Sequence, residues 1–141
     1  MRYWLRIVAI ILCVSAAGCR RRSPLSEAIG QQVQTGATGL DMSSITSFDW
    51  ENVFVFGPYT PKDDECRILK HTDSQCLSEG LREVGENESL MVFLHGASVN
   101  RTESIPRSIA DFDDSCLTRD LNKMTTKFIL EKRPRAYIVC H

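Results

Sequence analysis

The feature that most limits what this chain can fold into is an uninterrupted apolar run near its beginning, Ile7–Val14. Two arginines precede the run, and small residues at 15–18 follow it before the charges return at Arg20. A basic start, a short apolar run and small residues at a cleavage site are typical of a secretory signal. The run is too short to cross a bilayer well, since a membrane-spanning helix needs about 17–25 apolar residues. We therefore expect residues 1–18 to be a signal peptide that is removed.

The small residues end in a cysteine, in the order Ala16-Ala17-Gly18-Cys19. This tetrapeptide resembles the lipobox of bacterial lipoproteins, in which the cysteine thiol receives a diacylglycerol and cleavage exposes its amine for a further acyl chain. Ala16 departs from the family, because leucine is commonest there. The resemblance implies that Cys19 is lipidated and holds the protein to a lipid bilayer. In that family an aspartate after the cysteine marks inner-membrane members; since Arg20 stands there, the resemblance implies the outer membrane, facing the periplasm.

Two other outcomes for this segment stay open. One is an ordinary secretory signal that is cleaved near Ala17, with Cys19 incidental. The other is an uncleaved anchor that faces inward, because the positive charge of Arg20–Arg22 resists translocation.

The remainder of the chain is acidic: from Ser23 onward it has 12 basic and 18 acidic residues, although the whole chain has a net charge of −1. An acidic body disfavours nucleic acid and anionic lipid as partners. Residues 23–47 are rich in Ser, Gly, Thr and Gln, which predicts a flexible linker. We expect the lipidated N-terminus and this tether to span 19–46. A short helix starting at Ser26–Ile29 is the alternative for this part. A globular domain is then expected over 47–141.

Apolar, β-branched and aromatic runs in that domain predict five strands. They are Val53–Phe56, Leu90–Leu94, Val99–Ile105, Phe128–Leu130 and Ala136–Val139. Thr60 as N-cap, Pro61 at the first helical position and the acidic residues 63–65 predict a helix that runs to about His71. The expected fold class is α+β, with a small antiparallel sheet, one or two helices and disulfide staples.

Four cysteines belong to the predicted domain: Cys66, Cys76, Cys116 and Cys140. An even number of cysteines in a small exported domain predicts disulfides. Of the three possible pairings, proximity along the chain favours Cys66–Cys76 with Cys116–Cys140. Zinc sites usually contain closely spaced pairs such as C-x₂-C, which these cysteines lack, so we expect no metal and no cofactor.

Two segments suggest chemistry without completing it. Met91–Gly96 looks like the strand and His-Gly turn beside the oxyanion hole of α/β-hydrolases, but the chain has no G-x-S-x-G motif and the domain is too short for that fold. His95 is therefore expected to end a strand and hydrogen-bond to the backbone. Asp111–Asp114 could bind Ca²⁺, but it lacks the glycine and distal glutamate of an EF-hand loop, which favours turn and cap roles.

The most distinctive stretch is 47–60, SFDWENVFVFGPYT. It is similar to a segment of short hypothetical bacterial lipoproteins, and that resemblance implies no known activity. Trp50 and Tyr59 could form an exposed aromatic binding surface; alternatively, Trp50 covers the sheet and Tyr59 joins strand to helix.

Two functional hypotheses follow. The favoured one is a membrane-anchored envelope lipoprotein whose body binds a protein partner and catalyses no reaction. The alternative is a small envelope hydrolase that uses His95. A deep polar cleft holding both His95 and Asp111 would support the hydrolase, whereas a flat or grooved surface with Trp50 and Tyr59 would support the binding module.

Overall fold

The computed structural model describes residues 22–78 and 80–141. The predicted signal, 1–18, and the predicted lipidation site, Cys19, lie outside the described residues. The helices are α1 (Pro24–Thr35), α2 (Met42–Ile45), α3 (Lys62–Ile68) and α4 (Asp73–Ser78). The strands are β1 (Gly39–Leu40), β2 (Asn52–Phe56), β3 (Glu88–His95), β4 (Ser98–Pro106), β5 (Asp111–Phe112), β6 (Leu121–Asn122), β7 (Phe128–Lys132) and β8 (Ala136–Cys140). None of the described helices is long and apolar enough to cross a membrane.

The strands form two four-stranded sheets, which confirms the predicted α+β class. One sheet has the order β4-β3-β2-β6 and is antiparallel throughout. The other has the order β1-β7-β8-β5, in which only β5 and β8 run parallel. All five predicted strands are present, each with ends within two residues of the prediction.

The two central strands of the first sheet, β2 and β3, are buried on both faces, which explains their unbroken apolar runs. Side chains alternate between the two faces of a strand. Val53 and Val55 of β2 belong to a core shared with α1 and the second sheet. Phe54 and Phe56 belong to a second core on the side of α3 and α4. These two strands therefore lie between the two cores, in the middle layer of the molecule.

The structure corrects the expected flexible tether for residues 24–45, which contain α1, β1 and α2, and it agrees with the alternative of a short helix in this part. Ser23 caps α1 by accepting a hydrogen bond from the Ser26 N–H, and Pro24 occupies the first turn. Leu25 and Ile29 are buried in the core shared with the second sheet. Gly36 ends the helix in the left-handed conformation, with φ 75°. The helix is stable here because its apolar side packs on the body.

Helix α3 is shorter than predicted at both ends. Thr60 donates its hydroxyl to Gly57 O at 2.8 Å, so Pro61 takes the N-cap position. At the other end Lys70 adopts a positive φ of 57°, and the His71 N–H donates to Cys66 O. This turn closes the helix at Ile68 in the manner of a left-handed C-cap.

Both preferred cysteine pairings are confirmed. Cys66 and Cys76 are joined with an S–S distance of 2.10 Å and connect α3 to α4. Cys116 and Cys140 are joined at 2.05 Å and connect the segment before β6 to the end of β8.

Candidate functional site

The first sheet has two ends along the direction of its strands, and different functional groups lie at each. Because β2 runs antiparallel to β3, Asn52 pairs with Leu94 and Phe56 pairs with Leu90. We call the end with the β3–β4 turn the hairpin end, and the end where β3 begins the cleft end. The eight residues of β3 place these ends about 23 Å apart.

The cleft end contains a polar depression with a volume of about 850 Å³. Its walls come from the start of α1, the loop before β3, the end of β4 and the β7–β8 turn. Its charged lining residues are Arg22, Arg82, Glu86, Glu88, Arg107 and Arg135. Four separate segments of the chain thus each contribute one arginine.

Glu88 is the acidic centre of the cleft. Its Oε1 accepts hydrogen bonds from Arg82 Nη1 at 2.6 Å and from the Gly85 N–H at 3.1 Å, and its Oε2 accepts one from the Ser104 hydroxyl. The bond from Arg82 is the largest of the effects that lower the pKa of Glu88 to about 2. Glu88 is therefore ionised at neutral pH and fixes the position of Arg82.

A second carboxylate, that of Asp111, holds two arginines. Arg107 donates to Asp111 Oδ2 from Nε at 2.9 Å and from Nη2 at 2.6 Å. Arg135 Nη1 lies 3.8 Å from the same oxygen. The Asp111 side chain is 8% exposed, whereas those of Arg107 and Arg135 are 33% and 56% exposed. One buried negative charge thus faces two guanidinium groups, which leaves a net positive charge on the cleft wall.

The predicted turn and cap roles in Asp111–Asp114 hold for Asp113 in particular. Its Oδ1 accepts a hydrogen bond from the Ser115 N–H at 3.1 Å. That backbone hydrogen bond is the largest effect lowering the pKa of Asp113. No group of three or more His, Cys, Asp and Glu side chains suited to a metal ion occurs within the described residues.

Tyr59 stands at the rim of the cleft, 63% exposed. Its backbone has a positive φ of 63°, an uncommon conformation for a bulky residue. The Tyr59 N–H donates to Val84 O at 2.9 Å, and the Val84 N–H donates to Thr60 O at 3.0 Å. Partial desolvation and a hydrogen bond to Glu86 raise the pKa of its hydroxyl. Tyr59 is therefore an exposed aromatic side chain held in place by the loop that lines the cleft.

Trp50 does not share this surface, which corrects the prediction of a common aromatic rim. It lies at the hairpin end and is only 1% exposed. Its Nε1–H donates to Thr46 Oγ1 at 3.0 Å, and its ring packs edge-on against Phe93 with centroids 5.3 Å apart. This position agrees with the alternative prediction, that Trp50 covers the sheet.

The hairpin end carries a small charged cluster on the surface above Trp50. His95 Nδ1 lies 3.4 Å from Asp49 Oδ2, and Lys123 Nζ lies 3.7 Å from Asp49 Oδ1. His95 ends β3 as predicted, but its ring faces a carboxylate and not the backbone. Ser98 is its cross-strand partner, and no hydrogen bond joins these two side chains in the described structure.

The structure does not bring His95 and Asp111 together. His95 lies at the hairpin end, while Asp111 is held by Arg107 at the cleft. The polar cleft thus contains the partner arginines of Asp111 and lacks His95 among its lining residues.

Sequence reasoning missed the unusual position of Glu65. The acidic run 63–65 was explained by the helix dipole, which suits the exposed Asp63. Glu65 is instead fully buried, and this burial raises its pKa to about 7 against the opposing effects of Arg82 and Lys62. The spacing offered a signal, because Glu65 lies four residues before the apolar Leu69, which caps α3 and is buried on the same side.

No protein-family model matches the sequence, and neither a curated protein nor a solved structure matches it.

Proposed function

We propose that this chain is an exported lipoprotein of the cell envelope, anchored through acyl chains on Cys19, whose body is a non-enzymatic protein-binding module. The observation that carries the proposal is the pairing of all four cysteines of the body into two disulfides. Disulfides persist in oxidising compartments and are rare in the cytosol. An oxidised body agrees with the signal-like segment 1–18, and the lipobox-like tetrapeptide that ends at Cys19 names the anchor.

The hairpin end is the proposed partner surface. Met124 is 88% exposed there, next to Lys123, whose N–H donates to Glu51 O at 2.8 Å. Asp49 adds a carboxylate, and the Gly96 N–H of the β3–β4 turn donates to Glu51 Oε2. Lys123 Nζ lies over the ring of the buried Trp50, 5.3 Å from its centroid, and this contact restricts the lysine before it binds a partner. Such preorganisation reduces the ordering cost of association.

One observation favours the alternative of a small hydrolase. The His95–Asp49 contact resembles the orienting half of an acid–base pair, in which a carboxylate holds the imidazole. A hydrolase would also need a nucleophile, and Ser98 across the hairpin is the nearest hydroxyl in register. Ester hydrolysis that is lost in His95→Ala and in Ser98→Ala would favour this alternative over the binding module.

Lipidation is tested by comparing Cys19→Ala with Cys13→Ala, which removes a cysteine from the signal itself. Cells are labelled with a palmitate analogue and then fractionated. We expect Cys19→Ala to lose the label and the membrane retention, while Cys13→Ala keeps both. A labelled, membrane-bound Cys19→Ala protein would overturn the proposal.

Partner binding is tested with a photocross-linking amino acid at position 124. Leu77 serves as the control site, because it is equally apolar and 80% exposed on α4. We expect one adduct of defined mass from position 124 that disappears with Lys123→Glu, and none from position 77. Equal adducts from both sites, or none from 124 in intact cells, would contradict the proposed surface.

A further inference from the structure

The chain between the proposed anchor and the folded body is short. Pro24 starts α1, and Leu25 and Ile29 of that helix are buried in the core. Cys19 precedes Arg22 by three residues, which span at most about 11 Å when fully extended. Because α1 is folded against the body, no long tether intervenes. A lipidated Cys19 would therefore hold the cleft end, to which Arg22 belongs, close to the bilayer.

Positive charge is concentrated at the cleft end of the body. Residues 22–141 carry 13 basic and 18 acidic side chains, whereas the cleft is lined by four arginines and two glutamates. Arg107 and Arg135 share the single carboxylate of Asp111. Arg22 is exposed, and no carboxylate of a described residue forms an ion pair with it. The cleft end is thus the positive pole of an otherwise acidic body.

Tyr59 places an exposed aromatic ring beside these arginines. It is 63% exposed at the rim of the same cleft, and its backbone is held by Val84. Tyrosine is favoured at membrane–water interfaces, where its ring contacts acyl chains and its hydroxyl remains hydrated. An exposed tyrosine beside a set of arginines matches the layered chemistry of a bilayer surface.

We propose that the cleft end rests on the membrane and that its arginines bind the phosphate group of an anionic phospholipid. This inference rests on the proposed anchoring through Cys19. Arg22 and Arg135 contact the phosphate from the exposed side of the cleft, while Tyr59 lies among the head groups. The acidic remainder of the body, including the hairpin end, then faces away from the membrane, where a protein partner can reach it.

The test uses the mature protein purified from the membrane fraction and reconstituted into phosphatidylcholine vesicles, with or without one third phosphatidylglycerol. Depth is read from the quenching of tryptophan fluorescence by lipids that carry a nitroxide on the head group. Tyr59→Trp reports on the cleft end, and Met124→Trp is the matched control at the hairpin end. Trp50 is buried and contributes the same background to both variants.

In vesicles that contain phosphatidylglycerol we expect strong quenching of Tyr59→Trp and little quenching of Met124→Trp. Without the anionic lipid, or in 0.5 M salt, the quenching at 59 should fall. Arg22→Gln and Arg135→Gln, each introduced into Tyr59→Trp, should each lower the equilibrium constant for docking about fivefold. Arg133→Gln is the control, because Arg133 lies in the same turn as Arg135 but outside the cleft lining.

Failure of the anchor and failure of the docking give different results. Protein that does not sediment with vesicles of either composition would overturn the lipid anchor itself. Protein that sediments but shows equal quenching at positions 59 and 124, or equal quenching in both lipid mixtures, would overturn the docking while the anchor stands. Absence of quenching at 59 on vesicles that contain phosphatidylglycerol, together with binding of a soluble acidic peptide to the cleft, would likewise overturn it and assign the cleft to a protein partner.

Discussion

The hydroxyl of Ser26 donates a hydrogen bond to the backbone oxygen of Ser104 at 2.8 Å, across 78 residues of chain. Ser26 is fully buried, and its contact joins α1 to the end of β4 beside the cleft. This bond, with the apolar side of α1, makes the segment next to the proposed anchor part of the folded body. The orientation proposed for the protein at a membrane therefore requires that α1 is docked on the body.

Docking of α1 predicts a large effect of Ile29→Ala on stability. Ile29 is fully buried, so its truncation should lower the free energy of unfolding by about 2–5 kcal/mol. Gln31→Ala, on the exposed side of the same helix, should change it by less than about 0.5 kcal/mol. Urea unfolding measures both. Equal, negligible effects would mean that this segment is a tether after all.

The buried Glu65 predicts that stability falls as pH rises. Its pKa is about 7 in the folded protein and 4.5 as the unperturbed value, so the folded state binds the proton more tightly. The stabilisation is complete below pH 4.5 and is lost as pH rises through about 7, by roughly 3 kcal/mol. Glu65→Gln should remove this part of the pH dependence between pH 5 and 8. Asp63→Asn, on the exposed side of α3, should leave it in place. A Glu65→Gln profile that matches the unmodified protein would contradict a buried carboxylate.

Each disulfide should contribute to stability by an amount that rises with the logarithm of the length of chain it closes. Their sequence separations are 10 for Cys66–Cys76 and 24 for Cys116–Cys140. Replacing either pair with serine should cost about 3 kcal/mol, with the larger loss for the 24-residue loop. Thermal unfolding of the two double variants gives the comparison. If thiol titration of the unreduced protein detects free cysteine at these four positions, the pairing is wrong.

Trp50 and Tyr59 should respond in opposite directions to truncation. Trp50→Ala removes a buried ring from the core and should cost about 3–5 kcal/mol. Tyr59→Gly removes an exposed ring and relieves the positive φ of 63°, so it should raise stability by about 1 kcal/mol. Tyr59→Ala keeps the strained backbone and serves as the control for loss of the ring. A large loss of stability with Tyr59→Gly would show that the ring is part of the core.

The strands could be predicted because their signals are local. Val53–Phe56 and Leu90–Leu94 are continuous apolar runs. Such runs are typical of strands that are covered on both faces, because both sets of alternating side chains are then buried. The cysteine pairing could also be predicted, because each disulfide joins two cysteines that follow one another in the sequence of the domain. Helix α1 carried signals that its polar composition concealed: Ser23-Pro24 at the start, Leu25 and Ile29 spaced by four, and Gly36 at the end.

The cleft could not be predicted from the sequence, for a physical reason. Arg22, Arg82, Arg107 and Arg135 come from four distant segments, and only the packing of α1 and the β7–β8 turn brings them together. The burial of Trp50 likewise depends on Phe93, 43 residues away in the chain. A residue's type gives its preference for burial, but long-range pairing decides which aromatic is covered and which is exposed.

The intact mass of the protein purified from the membrane fraction, before and after reduction, tests the lipid anchor and the disulfides together. We expect a chain that begins at Cys19, carries acyl chains and gains about four hydrogens when its two disulfides are reduced. A mass that begins at Met1, without acyl chains and unchanged by reduction, would contradict both the anchor and the oxidised body.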